Sequence, residues 1–94
     1  MQKILILEDE EIILDLLSKK LAEQGYEIKT ARNGKEGMLI MEQEVPDLVL
    51  TDVVMPEKNG FDVISEMKQS EALKNVPVII ISNSGQPVEI DRAK

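Results

Sequence analysis

Four short apolar runs separated by helical stretches constrain this chain more than any other feature. The runs are Ile4 to Leu7, Ile28 with its neighbours up to Ala31, Leu48 to Leu50, and Val76 to Ile81. Three of them are continuous rather than alternating, as expected of parallel strands covered by helices on both faces. A short apolar run also fits a piece of buried helix. The β-branched Ile and Val content and the bounding Pro46 and Pro77 favour strands. The second run alternates Ile28 and Thr30 against Lys29, which predicts an edge position.

Helical spacing fills the intervals. From Glu11 to Gln24 the apolar positions are Ile13, Leu14, Leu17 and Leu21, and Gly25 follows as a stop. From Lys35 to Glu44 they are Met38, Leu39 and Met41, between Asn33-Gly34 and Pro46. A third helix is predicted from Phe61 to Gln69, with Val63, Ile64 and Met67 on one face. The segment from Val88 to Lys94 reads as the opening of a fourth. The order β-α-β-α-β-α-β-(α) predicts an open, doubly wound parallel α/β sheet in one domain. With one Phe, one Tyr and no Trp, its core must be aliphatic.

Composition narrows the chemistry. The formal net charge is −7, which argues against a duplex-binding surface and against an anionic membrane surface. The chain has no Cys and no His. Thiol chemistry, disulfides and the commonest transition-metal ligands are therefore excluded. The apolar run at the N-terminus is too short for a signal peptide or a membrane span, so a cytoplasmic protein is expected.

In open α/β sheets ligands bind at the carboxyl ends of the strands. Here the first strand ends in Glu8-Asp9, the third in Thr51-Asp52 and the fourth in Ser82-Asn83-Ser84. If those strands are neighbours, three carboxylates and a hydroxyl meet in one crevice. Oxygen acids without nitrogen or sulfur donors suit Mg²⁺. A carboxylate can also act as a nucleophile and form an aspartyl-phosphate. Each element has a plainer reading. Glu8 to Glu11 fit acids at a helix N-terminus, Asp52 fits a turn or cap, and Ser82 fits an N-cap. Only their joint placement at strand ends points to a site.

The same residues resemble the receiver domain of two-component response regulators, the chemotaxis-Y-like group. The resemblance rests on Ile4 to Glu10, on Asp47-Leu48-Val49-Leu50-Thr51-Asp52-Val53-Val54-Met55-Pro56, on Asn59-Gly60, and on Pro77 to Ser82. It implies a flavodoxin-like sheet of strand order 2-1-3-4, with Asp52 as phosphoacceptor. It further implies Mg²⁺ held by Asp9 and Asp52, by Glu8 through water and by the Val54 backbone carbonyl. Ser82 would bond the phosphoryl group, and Pro56 and Gly60 would shape the loop after the acceptor. The implied phosphodonor is a histidine kinase or a histidine phosphotransfer protein, which brings its own imidazole.

Two departures carry expectations. Asn83 stands where the family has a small residue, and its side chain would partly cover the acceptor. The family also continues through a complete fourth helix, a fifth strand ending in Lys, and a fifth helix. Residues 1–94 therefore read as a receiver domain without those parts. Lys94 does not replace the Lys, and neither Phe61 nor Tyr26 occupies the aromatic switch position. On this reading the fourth strand is an unpaired apolar edge, open to dimerisation or element exchange. Two other functions compete: an interaction module of the same fold that no longer switches, and a metal-dependent phosphohydrolase. The second needs another Asp two residues after the nucleophile, where this chain has Val54.

Overall fold

Each apolar run forms a strand in the computed structural model, which describes residues 2–52, residues 59–81 and the backbone of 87–89. The elements are β1 (Lys3–Leu7), α1 (Glu11–Glu23), β2 (Glu27–Ala31), α2 (Gly34–Gln43), β3 (Leu48–Asp52), α3 (Gly60–Lys68), β4 (Val78–Ile81) and β5 (Pro87–Glu89). The strand order is β2-β1-β3-β4-β5. β1 pairs in parallel with β2 and β3, and β3 pairs in parallel with β4. The expected order 2-1-3-4 and the edge position of β2 are both present.

The far edge differs from expectation. β4 is not open: Ile79, Ile80 and Ile81 lie opposite Glu89, Val88 and Pro87 of an antiparallel β5. The helix expected to open at Val88 is therefore strand over Pro87–Glu89, and residues 90–94 lie outside the described residues. An unpaired row of N–H and C=O groups is a template for any nearby extended segment. The intervening sequence, Ser82-Asn83-Ser84-Gly85-Gln86, is rich in turn formers, and Pro is tolerated at the first position of an edge strand. Pairing with β5 thus covers the edge through which element exchange was expected.

Helix boundaries follow capping chemistry. Asn33 and Asn59 precede α2 and α3, and their side chains accept from the Glu36 and Asp62 amides at 2.8 and 2.9 Å. Each bond satisfies a donor that has no partner within the helix. α1 is followed, after its C-cap Gln24, by Gly25, whose φ of 95° is the left-handed conformation that glycine adopts most readily.

The two faces of the sheet bury different residues, which is why β1 has no alternation. Leu5, Leu7, Val49, Val78 and Ile80 pack with Met41 of α2 and with Val63, Ile64 and Met67 of α3. Ile4, Ile6 and Leu50 pack on the other face with Leu14 of α1. Leu17, Leu21, Ile79 and Ile81 on this second face are only partly buried.

α1 carries one local defect. The Ser18 hydroxyl is buried without a hydrogen-bond partner among the described residues. Ser18→Ala removes that cost and improves helix propensity, so it is expected to stabilise the protein by about 1 kcal/mol. Thermal unfolding should show Tm raised by about 4–8 °C. A lower Tm would mean that the hydroxyl finds a partner in solution.

Candidate functional site

The carboxyl ends of β1 and β3 are adjacent because the two strands pair from Ile4↔Leu48 to Leu7↔Thr51. Asp52 is therefore the residue beside the end of β1, where Glu8 and Asp9 follow. Carboxylate oxygens of Glu8, Asp9 and Asp52 all lie within 4.8 Å of one another. Glu8 and Asp52 are buried, each with 4% of its surface exposed, whereas Asp9 is exposed. The main chain that holds them is tied down. The Glu8 amide donates to the Ala31 carbonyl at 3.0 Å, so β2 braces the turn. The Glu8 carboxylate accepts from the Glu10 amide at 3.0 Å, just before α1.

Three acids this close cannot all ionise cheaply. Glu8 is pushed up to about 7, chiefly because burial penalises its charged form. The Glu10 amide pulls the other way, while the charges of Asp52 and Asp9 add to the rise. The opposite end of the sheet has the reverse character. There Glu44 accepts from Lys3 at 2.7 Å and Lys29 lies 3.1 Å away. Chiefly through its bond from Lys3, Glu44 is held below the usual carboxylate range. Acids at one end are neutralised by lysines; acids at the other are gathered together.

The raised Glu8 value has a stability consequence. Between about pH 4.5 and 7 the metal-free folded protein holds a proton that the unfolded chain has released. Stability must therefore fall as pH rises through that window. Each tenfold gain in proton affinity corresponds to about 1.4 kcal/mol, and solvent screening at this open strand end reduces the total to about 1–2 kcal/mol. Melts in chelator should give a higher Tm at pH 5.5 than at pH 7.5, and Glu8→Gln should flatten the difference. An unchanged difference in that variant would assign it to another group.

Of the residues singled out from sequence, Glu8, Asp9 and Asp52 converge. Val54 and Ser82, together with Met55, Pro56 and Asn83, lie outside the described residues. Two features were not legible in the residue pattern. Gly60, the first residue of α3, sits so close to β3 that a Cβ there would stand 2.5 Å from the Asp52 carbonyl oxygen and 3.3 Å from Thr51 Oγ1. The Thr51 hydroxyl, 1% exposed, donates to that same carbonyl at 3.0 Å. A Thr beside a strand-end acid was the available signal, but nothing in the sequence said which way its hydroxyl turns.

A doubly wound parallel sheet with an acidic cluster beyond the ends of its central strands defines a class of carboxylate-centred α/β proteins. Residues 4–94 match the response regulator receiver domain, and the chain belongs to that family of two-component signalling proteins. It is 38% identical over 85 residues to a probable transcriptional regulator, ycf27, of Pyropia yezoensis, covering 90% of this chain and 34% of that protein. It is 34% identical over 89 residues to protein PilH of Pseudomonas aeruginosa, covering 95% of this chain and 74% of PilH. Among solved structures it resembles the response regulator TrrA of Thermotoga maritima in complex with Mg²⁺-BeF. That match has a TM-score of 0.81 and 36% identity, over 87% of this chain and 70% of the other. The chain thus spans about a third of the length of the ycf27 relative. Among the described residues, no helix is long and apolar enough to cross a membrane.

Proposed function

We propose that this chain is a phosphoacceptor receiver of a cytoplasmic two-component phosphorelay, with Asp52 as the residue that takes the phosphoryl group. The observation that carries this reading is the convergence of the Glu8, Asp9 and Asp52 carboxylates within 4.8 Å at the strand ends. Plain helix caps would not need to meet. The donor is the phosphohistidine of a histidine kinase or a histidine phosphotransfer protein. A carboxylate oxygen of Asp52 forms the new O–P bond as the P–N bond breaks, and the imidazole leaves with the electron pair. The reaction needs no His on this chain.

The donor set fits Mg²⁺. All three side chains offer oxygen, without the nitrogen or sulfur that would favour a transition metal. The rise in Glu8 reports negative charge and desolvation that a cation would offset. Asp9 and Asp52 would hold the ion directly and Glu8 through water, with the Val54 carbonyl as a further ligand. When bound, Mg²⁺ would neutralise charge on the transferring phosphoryl oxygens. The chain's own residues do the rest. The Glu10 amide and the Ala31 carbonyl keep Glu8 in place, and the β1–β3 pairing fixes its distance from Asp52. Ser82 would donate its hydroxyl to the phosphoryl group. Residues 1–94 act as the receiver portion.

The test is intact mass after incubation with acetyl phosphate, with and without Mg²⁺. A phosphoryl adduct that requires Mg²⁺ is expected. A folded chain that gains no adduct under either condition would make the protein an interaction module of receiver fold that does not switch.

A further inference from the structure

We propose that Thr51 is a positioning residue for the phosphoacceptor, acting through its hydrogen bond to the Asp52 main-chain carbonyl. The inference rests on the reading of Asp52 as the acceptor. Three observations support it.

Asp52 is the last residue of β3, opposite Ile81 at the end of the ladder. A peptide plane at the end of a ladder is held less firmly than one within it. A buried carbonyl at such a point needs a donor, and the Thr51 hydroxyl supplies one at 3.0 Å. Thr51 is itself almost fully buried, and β1 residue Leu7 lies opposite it in the sheet. Its hydroxyl is not a solvent group that happens to lie nearby.

The same carbonyl is approached by Gly60, where even a methyl group would intrude. The Asp52 carbonyl is thus pinned between a hydroxyl of its own strand and the first turn of α3. Asn59 caps that turn through its side chain, and Val63, Ile64 and Met67 bury α3 against the sheet, so it cannot easily slide away. Fixing the carbonyl fixes the torsion that sets the Asp52 Cα–Cβ direction. The carboxylate is thereby aimed at Glu8 and Asp9 rather than swinging about a loose strand end.

A side chain that merely filled space would not need the hydroxyl. Val has nearly the shape of Thr and suits a buried strand position, so Thr51→Val separates the two roles. Displacement of a reacting group by a fraction of an ångström is costly to rate, on the order of tenfold here. Thr51→Val is expected to keep Tm within a few degrees of the parent. It should slow Mg²⁺-dependent adduct formation from acetyl phosphate by about tenfold at saturating donor. Thr51→Ser, which restores the hydroxyl but loses the methyl, should recover most of the rate despite packing less well. The signature is therefore an inversion: the better-packed variant is the slower one.

Rates are measured by intact mass, with folded content from far-ultraviolet circular dichroism and Mg²⁺ affinity from calorimetry. Parent-like rates in Thr51→Val would overturn the inference and leave the acceptor assignment standing. Rates that follow folded content alone, with Thr51→Ser slower than Thr51→Val, would also overturn it. If Thr51→Val fails to fold, the comparison passes to Thr51→Ala against Thr51→Ser, with the same ordering required. A parent that forms no adduct defeats the acceptor reading itself, which the parent lane shows directly.

Discussion

Asp52→Asn is expected to form no phosphoryl adduct under conditions that modify the parent, and to be more stable than the parent in the absence of metal. The first half follows from chemistry. The amide has no carboxylate oxygen to offer phosphorus. Of the two acids nearby, Glu8 is tied to the Glu10 amide and Asp9 is exposed. The second half follows from electrostatics. Glu8 is pushed upward first by burial and then by the Asp52 and Asp9 charges. Removing the Asp52 charge leaves the burial cost but relieves part of the repulsion. At pH 7.5 and in chelator the gain should be about 0.5–1 kcal/mol, a few degrees in Tm. The stabilisation by added Mg²⁺ expected in parent melts should shrink in the variant. An acceptor site that lowers the stability of the metal-free fold is the usual compromise between function and stability. Two results would count against this account: an adduct of parent-like extent on the variant, or a variant less stable than the parent in chelator.

Gly60→Ala should destabilise the protein and disturb the acceptor together. In an exposed helix the change would stabilise by roughly 1 kcal/mol through propensity. Here the added methyl would stand 2.5 Å from the Asp52 carbonyl oxygen and 3.3 Å from the carbonyl carbon. That obstacle is main chain at the end of a paired strand, held by the Thr51 hydroxyl, so it cannot swing aside as a flexible side chain would. Either α3 lifts from the sheet, loosening Val63, Ile64 and Met67 in the core, or the end of β3 shifts. Overpacking of this kind costs about 1–3 kcal/mol, so after the propensity gain a net loss of about 1 kcal/mol and a Tm about 4–8 °C lower are expected. Adduct formation per folded molecule should also fall, because the displaced atom belongs to Asp52. Gly25→Ala provides the control. Its Cβ would meet nothing within 4 Å, and its cost comes only from a φ of 95°. It should lower Tm without changing the adduct rate per folded molecule. Equal behaviour of the two variants would mean that the Gly60 contact is not coupled to the acceptor.

Gly60 also marks where sequence reading stops. Gly60 was expected in the loop before a helix opening at Phe61, and α3 instead takes Gly60 as its first residue. That the glycine is needed for close approach to the Asp52 carbonyl depends on how α3 packs, which local pattern does not encode. Thr51 is similar: its place at the end of a buried strand is legible, but the direction of its hydroxyl is not. The helices beginning near Glu11, Lys35 and Phe61 and the strands at the apolar runs were legible to within a residue or two. Their signals, hydrophobic period and capping chemistry, are local.

By itself, then, the order of residues determined the alternation of strands and helices, the aliphatic two-sided core, and the acids that end β1 and β3. These follow from short-range spacing and from burial, which act on neighbouring residues. Tertiary structure alone decided three things. It brought Glu8, Asp9 and Asp52 within 4.8 Å of one another, because parallel pairing sets strand ends side by side. It raised Glu8 to about 7, because desolvation exists only once the fold buries its carboxylate. And it paired β4 with an antiparallel β5 where an open edge and a nascent helix were expected. A free row of backbone hydrogen-bonding groups outweighs the weak helical preference of three residues.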